Sequence, residues 1–141
     1  IIYNGENICN WCYISKTFVS DQDIKYEPIS NNLYYIKCQL NVNNNEYLTI
    51  AIDRPVMILA TVAIAYNPQD HRYKKYKNHN IKIPIVNKYV PIIEEDTVDM
   101  NFGTGLKIIT PAHNKRDYNI AQRHKFNIVN IFDTECKIIN S

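Results

Sequence analysis

Asn32-Leu33-Tyr34-Tyr35-Ile36-Lys37-Cys38-Gln39-Leu40 runs into Asn41-Val42-Asn43-Asn44-Asn45 and then Glu46-Tyr47-Leu48-Thr49-Ile50-Ala51-Ile52. The first segment puts Leu33, Tyr35 and Lys37 on one side and Tyr34, Ile36, Cys38 and Leu40 on the other, which is the two-residue period of a strand. The asparagine-rich middle reads as a turn, and residues 46–52 return as the hairpin partner. Further β-prone runs lie at 62–66, 82–86, 89–93, 106–109, 128–132 and 137–139. Pro84 and Pro91 each remove a ladder donor, so they belong at edges or bulges. Two helices are expected. One starts at Asn67-Pro68 and runs toward Lys75. The other has Asn114 as N-cap and Asp117 three residues on, and extends to about Lys125 with Tyr118 and Ala121 inward. The elements together predict an α+β domain, a small β-barrel-like body with peripheral short helices.

The chain has 141 residues, 45% of them hydrophobic and 21% charged. That supports one domain with one core and excludes a disordered tail. A net charge of +2 is too mild to imply nucleic-acid binding by itself. No apolar run approaches the roughly 18 residues of a membrane span. Residues 1–6, Ile1-Ile2-Tyr3-Asn4-Gly5-Glu6, carry neither an initiator Met nor a signal-peptide pattern, so the chain reads as an internal piece of something longer. Cys9-Asn10-Trp11-Cys12 has the spacing of a metal knuckle, but no second close pair follows. Cys9, Cys12, Cys38 and Cys136 are therefore expected to be free thiols, with no metal bound.

Several consecutive stretches carry a resemblance: Asn10-Trp11-Cys12 and Val19-Ser20-Asp21; Leu33 to Lys37; Arg54-Pro55; and Asn67-Pro68-Gln69-Asp70-His71-Arg72-Tyr73-Lys74. They continue with Ile83-Pro84-Ile85-Val86, Val90-Pro91-Ile92-Ile93, Val98-Asp99-Met100, Phe102-Gly103-Thr104-Gly105, Thr110-Pro111-Ala112-His113, Asp117-Tyr118 and Arg123-His124. In this order, and over nearly the whole chain, they resemble the editing (connective polypeptide 1) domain of class I valyl-tRNA synthetase. The nucleotide-binding signatures of a class I catalytic domain are absent. The resemblance therefore implies one domain, residues 1–141, of a longer cytoplasmic synthetase. It needs no cofactor of its own, while ATP and Mg serve the parent's catalytic domain.

The activity that the resemblance implies follows from a free-energy limit. A hydrophobic pocket rejects an isostere that adds only a hydroxyl by about a hundredfold, valyl-tRNA synthetase facing threonine being the established instance. A second site must hydrolyse threonine esterified to the valine tRNA, and it gains selectivity by hydrogen-bonding the hydroxyl that valine lacks. The implied partners are the tRNA(Val) acceptor end, its threonine ester and the catalytic domain of the same chain, in a monomer with no membrane attachment. On these positions the catalytic group is Asn114, Asp117 and Thr110. The substrate contacts are Ile52, Asp53, Arg54, Pro55, Met57, Phe102, Lys107, Ile108 and His113, with no metal ligand among them.

The match departs from the family where the chemistry lies. The family loop reads Thr-Thr-Arg-Pro-Glu-Thr, whereas this chain has Ile52-Asp53-Arg54-Pro55-Val56-Met57, and the family's Gly-Asp-Thr is here Ala60-Thr61-Val62. The family's Thr-Pro-Ala-His-Asp ends here in Asn114, which caps a helix as well as Asp but removes one anion. The family lysine falls on Ile108, with Lys107 one place early and so on the opposite strand face unless a bulge near Gly103 to Gly105 intervenes. Deacylation by this version is expected to be weak or absent. A non-catalytic docking or structural insertion is the alternative, and an unrelated ligand-binding barrel is a third. Asn114 also reads simply as a cap, and His113 as a core histidine. Phe102 reads equally as core or as a face for the terminal adenosine. The run His71-Arg72-Tyr73-Lys74-Lys75-Tyr76-Lys77 suits either an aromatic-interleaved RNA patch or a solvated helix face.

Overall fold

The computed structural model describes residues 10–12, 14–19, 32–40 and 46–139. In chain order the strands are β1 (Asn10–Cys12), β2 (Thr17–Val19), β3 (Tyr34–Leu40), β4 (Tyr47–Ile52), β5 (Ala63–Tyr66), β6 (Asn80–Ile83), β7 (Lys88–Glu94) and β8 (Leu106–Ile109); one α-helix, α1, spans Lys115–His124. β1 and β2 form a small separate hairpin, and the other six strands make one mixed sheet in the order β4-β3-β6-β7-β5-β8. Among the described strands, only β5 and β7 pair in parallel. The two outermost strands, β4 and β8, come back alongside each other without a hydrogen-bonded ladder. The sheet is thus nearly closed into a barrel with one open seam.

Strand alternation sorts the core. Cys38 and Leu40, Leu48, Ile50 and Ile52, Ile81 and Ile83, Val90 and Ile92, Ile64 and Tyr66, and Leu106 all point to the barrel interior. The reverse face of β5 supplies Ala63 and Ala65, which pack with Ile93, Ile109, Val98 and Ile120 of α1. β5 is buried on both faces, as a strand with a parallel neighbour usually is. Each fully buried isoleucine contributes about 1.5–3 kcal/mol, so these two clusters hold the sheet and fix α1 against it. Burial pushes the Cys38 thiol up to about 11, which keeps it an inert core group.

The α+β, barrel-like expectation holds, and so does the hairpin of residues 32–52, where Leu40 N–H donates to the Glu46 carbonyl across its closed end. The intervening turn at 41–45 and Cys9 lie outside the described residues. Cys12, Cys38 and Cys136 are free. α1 starts where predicted, with Asn114 Oδ1 accepting from the Arg116 and Asp117 N–H groups, and it ends at Lys125 in the left-handed conformation. Its buried positions are Asp117, Ile120 and Ala121, while Tyr118 is only half-buried.

Three expectations fail. The run 67–75 is not an α-helix: Asn67 Oδ1 accepts from Gln69 N–H and Asp70 Oδ1 from Arg72 N–H, so two side chains impose turns and only a 3-10 helix, Lys74–Tyr76, follows. Tyr73 is buried with its hydroxyl on the Thr104 carbonyl, and the half-buried Tyr76 donates its OH to Glu46, so both rings of the basic run are tied into the fold. The runs 128–132 and 137–139 form no strands, only a bridge between Phe132 and Ile138. Ile131 instead packs on Met57 and Ala60. The run 82–86 ends at Ile83, because a γ-turn centred on Ile85 (φ +75°) follows Pro84. Pro84 therefore sits past a strand end. Pro91 is paired only with Asn80 at the start of β6, one residue before β5 joins β7.

Candidate functional site at the open seam

A cavity of about 450 Å³ opens where β4 and β8 fail to pair. On one side lie Ala51 and Ile52 at the end of β4, then Asp53, Arg54 and Met57. On the other lie Leu106, Lys107 and Ile108 of β8, with Thr110, His113, Asn114 and Asp117 where the chain enters α1. Thr97, Val98, Asp99 and Phe102 close the rim. Of the residues the sequence points to, only Pro55 stays off the cavity wall. It is exposed at the first position of the 3-10 helix Pro55–Ala60, where its missing N–H costs nothing. Ala51, Thr97, Val98, Asp99 and Leu106 are additions. Asp99 was legible only as part of the Val98-Asp99-Met100 motif, and Thr97 carried no signal.

The floor is apolar. Ile52 and Met57 are buried, and Ile108 is half-buried against the core. The Thr61 hydroxyl in the downstream loop is buried and donates to the Met57 carbonyl, away from the cavity wall.

At the entrance to α1 the Asp117 carboxylate is fully engaged. Lys107 Nζ lies 2.9 Å from Asp117 Oδ1, while Asp117 Oδ2 accepts from Thr110 N–H at 2.9 Å and from Thr110 Oγ1 at 3.4 Å. The Asp117 side chain is 1% exposed, so this carboxylate is fully enclosed by its own partners. Lys107 reaches it without any bulge in the ladder, since Leu106 to Ile109 pair in step with Tyr66 to Ala63. The one-place shift does turn the lysine to the other face of β8. That is the face carrying Ile109 and α1, where Asp117 emerges.

Asn114 Oδ1 is occupied by the two helix N–H groups, leaving its amide NH₂ as a donor at the cavity edge. Helix N-termini carry positive partial charge, and an amide does not reverse it as a carboxylate would. His113 Nε2 accepts from Ile131 N–H at 3.3 Å, and its ring meets Phe132 edge-on. Burial first, and the Arg54 charge second, lower its pKa below the ordinary value. His113 is therefore a neutral, structurally engaged imidazole on the cavity wall. Asp53 and Asp99 are exposed carboxylates on the rim, with Asp99 Oδ1 accepting from Asn101 N–H. Phe102 is 59% exposed and offers a ring face at the mouth.

Among the described residues, no three His, Cys, Asp or Glu side chains cluster as a metal site would require. None of the described helices is long and apolar enough to cross a membrane.

Comparison with known proteins bears on the same segments. The sequence family described as the leucyl-tRNA synthetase editing domain matches residues 65–138, more than half of the chain. The valine–tRNA ligase of Pseudothermotoga lettingae is 42% identical over 138 residues, covering 98% of this chain and 16% of the relative. That of Thermotoga maritima is 38% identical over the same shares, and that of Clostridium tetani is 44% identical over 88% of this chain and 14% of its own length. The chain thus spans about one-sixth of the curated relatives it matches. A leucyl-tRNA synthetase from Agrobacterium radiobacter, solved as a ternary complex with tRNA and LeuAMS, superimposes with a TM-score of 0.62 at 12% identity over 72% of this chain and 16% of that one. That likeness concerns the fold. A cavity assembled from the motif segments, together with a family match over more than half of the chain, places the protein in the editing-domain family of class I aminoacyl-tRNA synthetases.

Proposed function

We propose that the seam cavity is a post-transfer editing site of a valyl-tRNA synthetase, built to receive threonine esterified to the 3′ end of tRNA(Val), and that its hydrolytic activity is weak. The observation that carries the reading is the state of Asp117. Both of its oxygens are taken by Lys107 and Thr110, so the cavity wall lacks a free buried anion for an α-ammonium group. Ester hydrolysis here demands an anchored ammonium, donors for the side-chain hydroxyl and a positioned water. Asn114 supplies a neutral amide in place of a carboxylate, and Ile52 and Met57 put apolar carbon where hydroxyl recognition is needed. A charge-assisted hydrogen bond is worth about 1.5–3 kcal/mol, so one lost anion costs roughly ten- to a hundredfold in substrate anchoring. Of the expected catalytic group, Asn114 presents its amide to substrate, while Thr110 and Asp117, bonded to each other and to Lys107, position the wall behind it. Asp53, Arg54, Phe102, Lys107, Ile108 and His113 shape the surroundings.

In this reading the chain is one domain of a longer, cytoplasmic, monomeric synthetase, whose separate catalytic domain uses ATP and Mg. The domain's own hydrolysis needs neither. The test is deacylation of threonyl-tRNA(Val) by the parent enzyme with and without this insertion. Slow, insertion-independent clearance is expected, and rapid insertion-dependent clearance overturns the weak-activity reading. Asn114→Asp combined with Ile52→Thr should raise the rate by tenfold or more. A non-catalytic docking role is the second reading, favoured by the saturated Asp117. It predicts that the double variant leaves deacylation at background while acceptor-stem binding persists with its salt dependence.

A further inference from the structure

The outer face of the β4-β3-β6-β7 sheet has no role in the cavity, and its composition is unusual. Register brings Tyr47, Gln39, Lys82 and Tyr89 into one row across four neighbouring strands. Two positions further along β3 on the same face is Lys37, and two beyond it Tyr35. Tyr35, Tyr47 and Tyr89 are 62%, 55% and 52% exposed, three open rings on one sheet face. None of the described strand positions on this face carries a carboxylate. Glu46 and Glu94, at the strand ends, are instead engaged with Tyr76 and Tyr66. Exposed rings interleaved with lysines on an acid-free, four-stranded surface are the chemistry of single-stranded RNA. Bases stack on the rings whatever their identity, and ammonium groups follow the phosphates.

The face is also continuous with the cavity. Tyr35 pairs directly with Ala51, which lines the cavity, and the Phe102-Gly103 turn lies against the Ala51 side chain. The row from Tyr47 to Tyr89 crosses three strand spacings, about 14 Å, and Tyr35 stands four residues, about 13 Å, along β3 from Gln39.

We infer that this face is a stacking platform for the unpaired strand of RNA whose 3′ terminus enters the seam cavity, with Tyr35 nearest the mouth and Lys37 and Lys82 on its phosphates. The inference rests on the editing reading for the direction of the strand, and its test uses no ester.

Fluorescence anisotropy of the 141-residue chain with a labelled single-stranded RNA decamer should show salt-dependent binding. Tyr35→Ala and Tyr89→Ala should each weaken it about fivefold or more, and Tyr35→Phe should restore it, because a phenyl ring still stacks. Lys37→Gln with Lys82→Gln should lower the slope of log affinity against log salt by about 1.4, at about 0.7 per lysine on a single strand. Circular dichroism identifies variants that remain folded. Absence of binding overturns the inference, as does wild-type affinity in the folded alanine variants. A duplex of equal length bound as tightly and independently of the tyrosines does so too. Unchanged RNA affinity with lowered stability of the full-length synthetase would assign the face to protein packing, and likewise overturns it. A failed deacylation assay leaves each of these readouts intact.

Discussion

Asn114 is at once a helix cap and a wall of the cavity, and the two roles respond differently to substitution. Its Oδ1 satisfies two N–H groups of the first turn of α1, a task that aspartate performs equally well. Asn114→Ala should therefore cost about 1 kcal/mol in urea denaturation, whereas Asn114→Asp should change stability by a few tenths at most. Only the aspartate variant adds a charge to the cavity, so a deacylation gain without a stability gain separates recognition from capping. Asp117 cannot stand in for that charge. Enclosed at 1% exposure and matched by Lys107, it gives a locally neutral unit. A pair with one enclosed partner is kept intact because removing the lysine strands the buried carboxylate, not because the pair adds much net stability.

The turn 101–105 shows how an element, and not a single side chain, sets the cavity mouth. Gly103 adopts φ +57°, and a β-carbon there would stand 2.6 Å from the Ala51 Cβ. Gly105, at φ +84°, is backed by Arg72, whose guanidinium bonds both Asp70 oxygens and the Met100 carbonyl. The neighbouring arginine holds the Asp70 carboxyl below its usual range. The segment 67–77, which forms no α-helix, thus acts as a brace. Asn67 Nδ2 holds the Asp96 and Val98 carbonyls, Arg72 holds Met100, and Tyr73 holds Thr104. Gly103→Ala should destabilise the protein by about 1–3 kcal/mol through a clash and a strained backbone. Thermal unfolding should show a Tm drop of roughly 3–10 °C. Phe102 should move with the turn, so the variant should also lose RNA-terminus binding in excess of its stability loss.

Across the molecule, the seam between β4 and β8 is bridged by side chains and not by a ladder, and His113 links it to the C-terminal segment through Ile131 and Phe132. This coupling has a pH signature. The folded pKa of His113 lies below its ordinary 6.5, so between those two values the unfolded chain binds the extra proton. The stability that His113 contributes is complete above pH 6.5 and is lost as pH falls through the folded value. The urea midpoint should be lower at pH 5.5 than at pH 7.5, and His113→Gln should reduce that difference. An unchanged difference would mean that His113 is not held neutral.

Local chemistry was enough for the hairpin of 32–52, the β8 strand and the Asn114 cap, because alternation, capping and turn preferences act within a few residues, whereas the cavity-forming motifs were legible only through the family resemblance. It failed at 67–75, where Pro and Asn mark a helix start equally well as a pair of side-chain turns, and the choice went to long-range partners at Asp96, Val98 and Met100. It failed at 128–132, where apolar content does not say whether a segment pairs or packs. The destination of Lys107 was also out of reach. Strand parity foretold the opposite face, but that this face holds Asp117 depends on α1 docking against β5 and β8. Pairwise meetings of residues distant in sequence are set by how the sheet curls, and no local pattern encodes that curl.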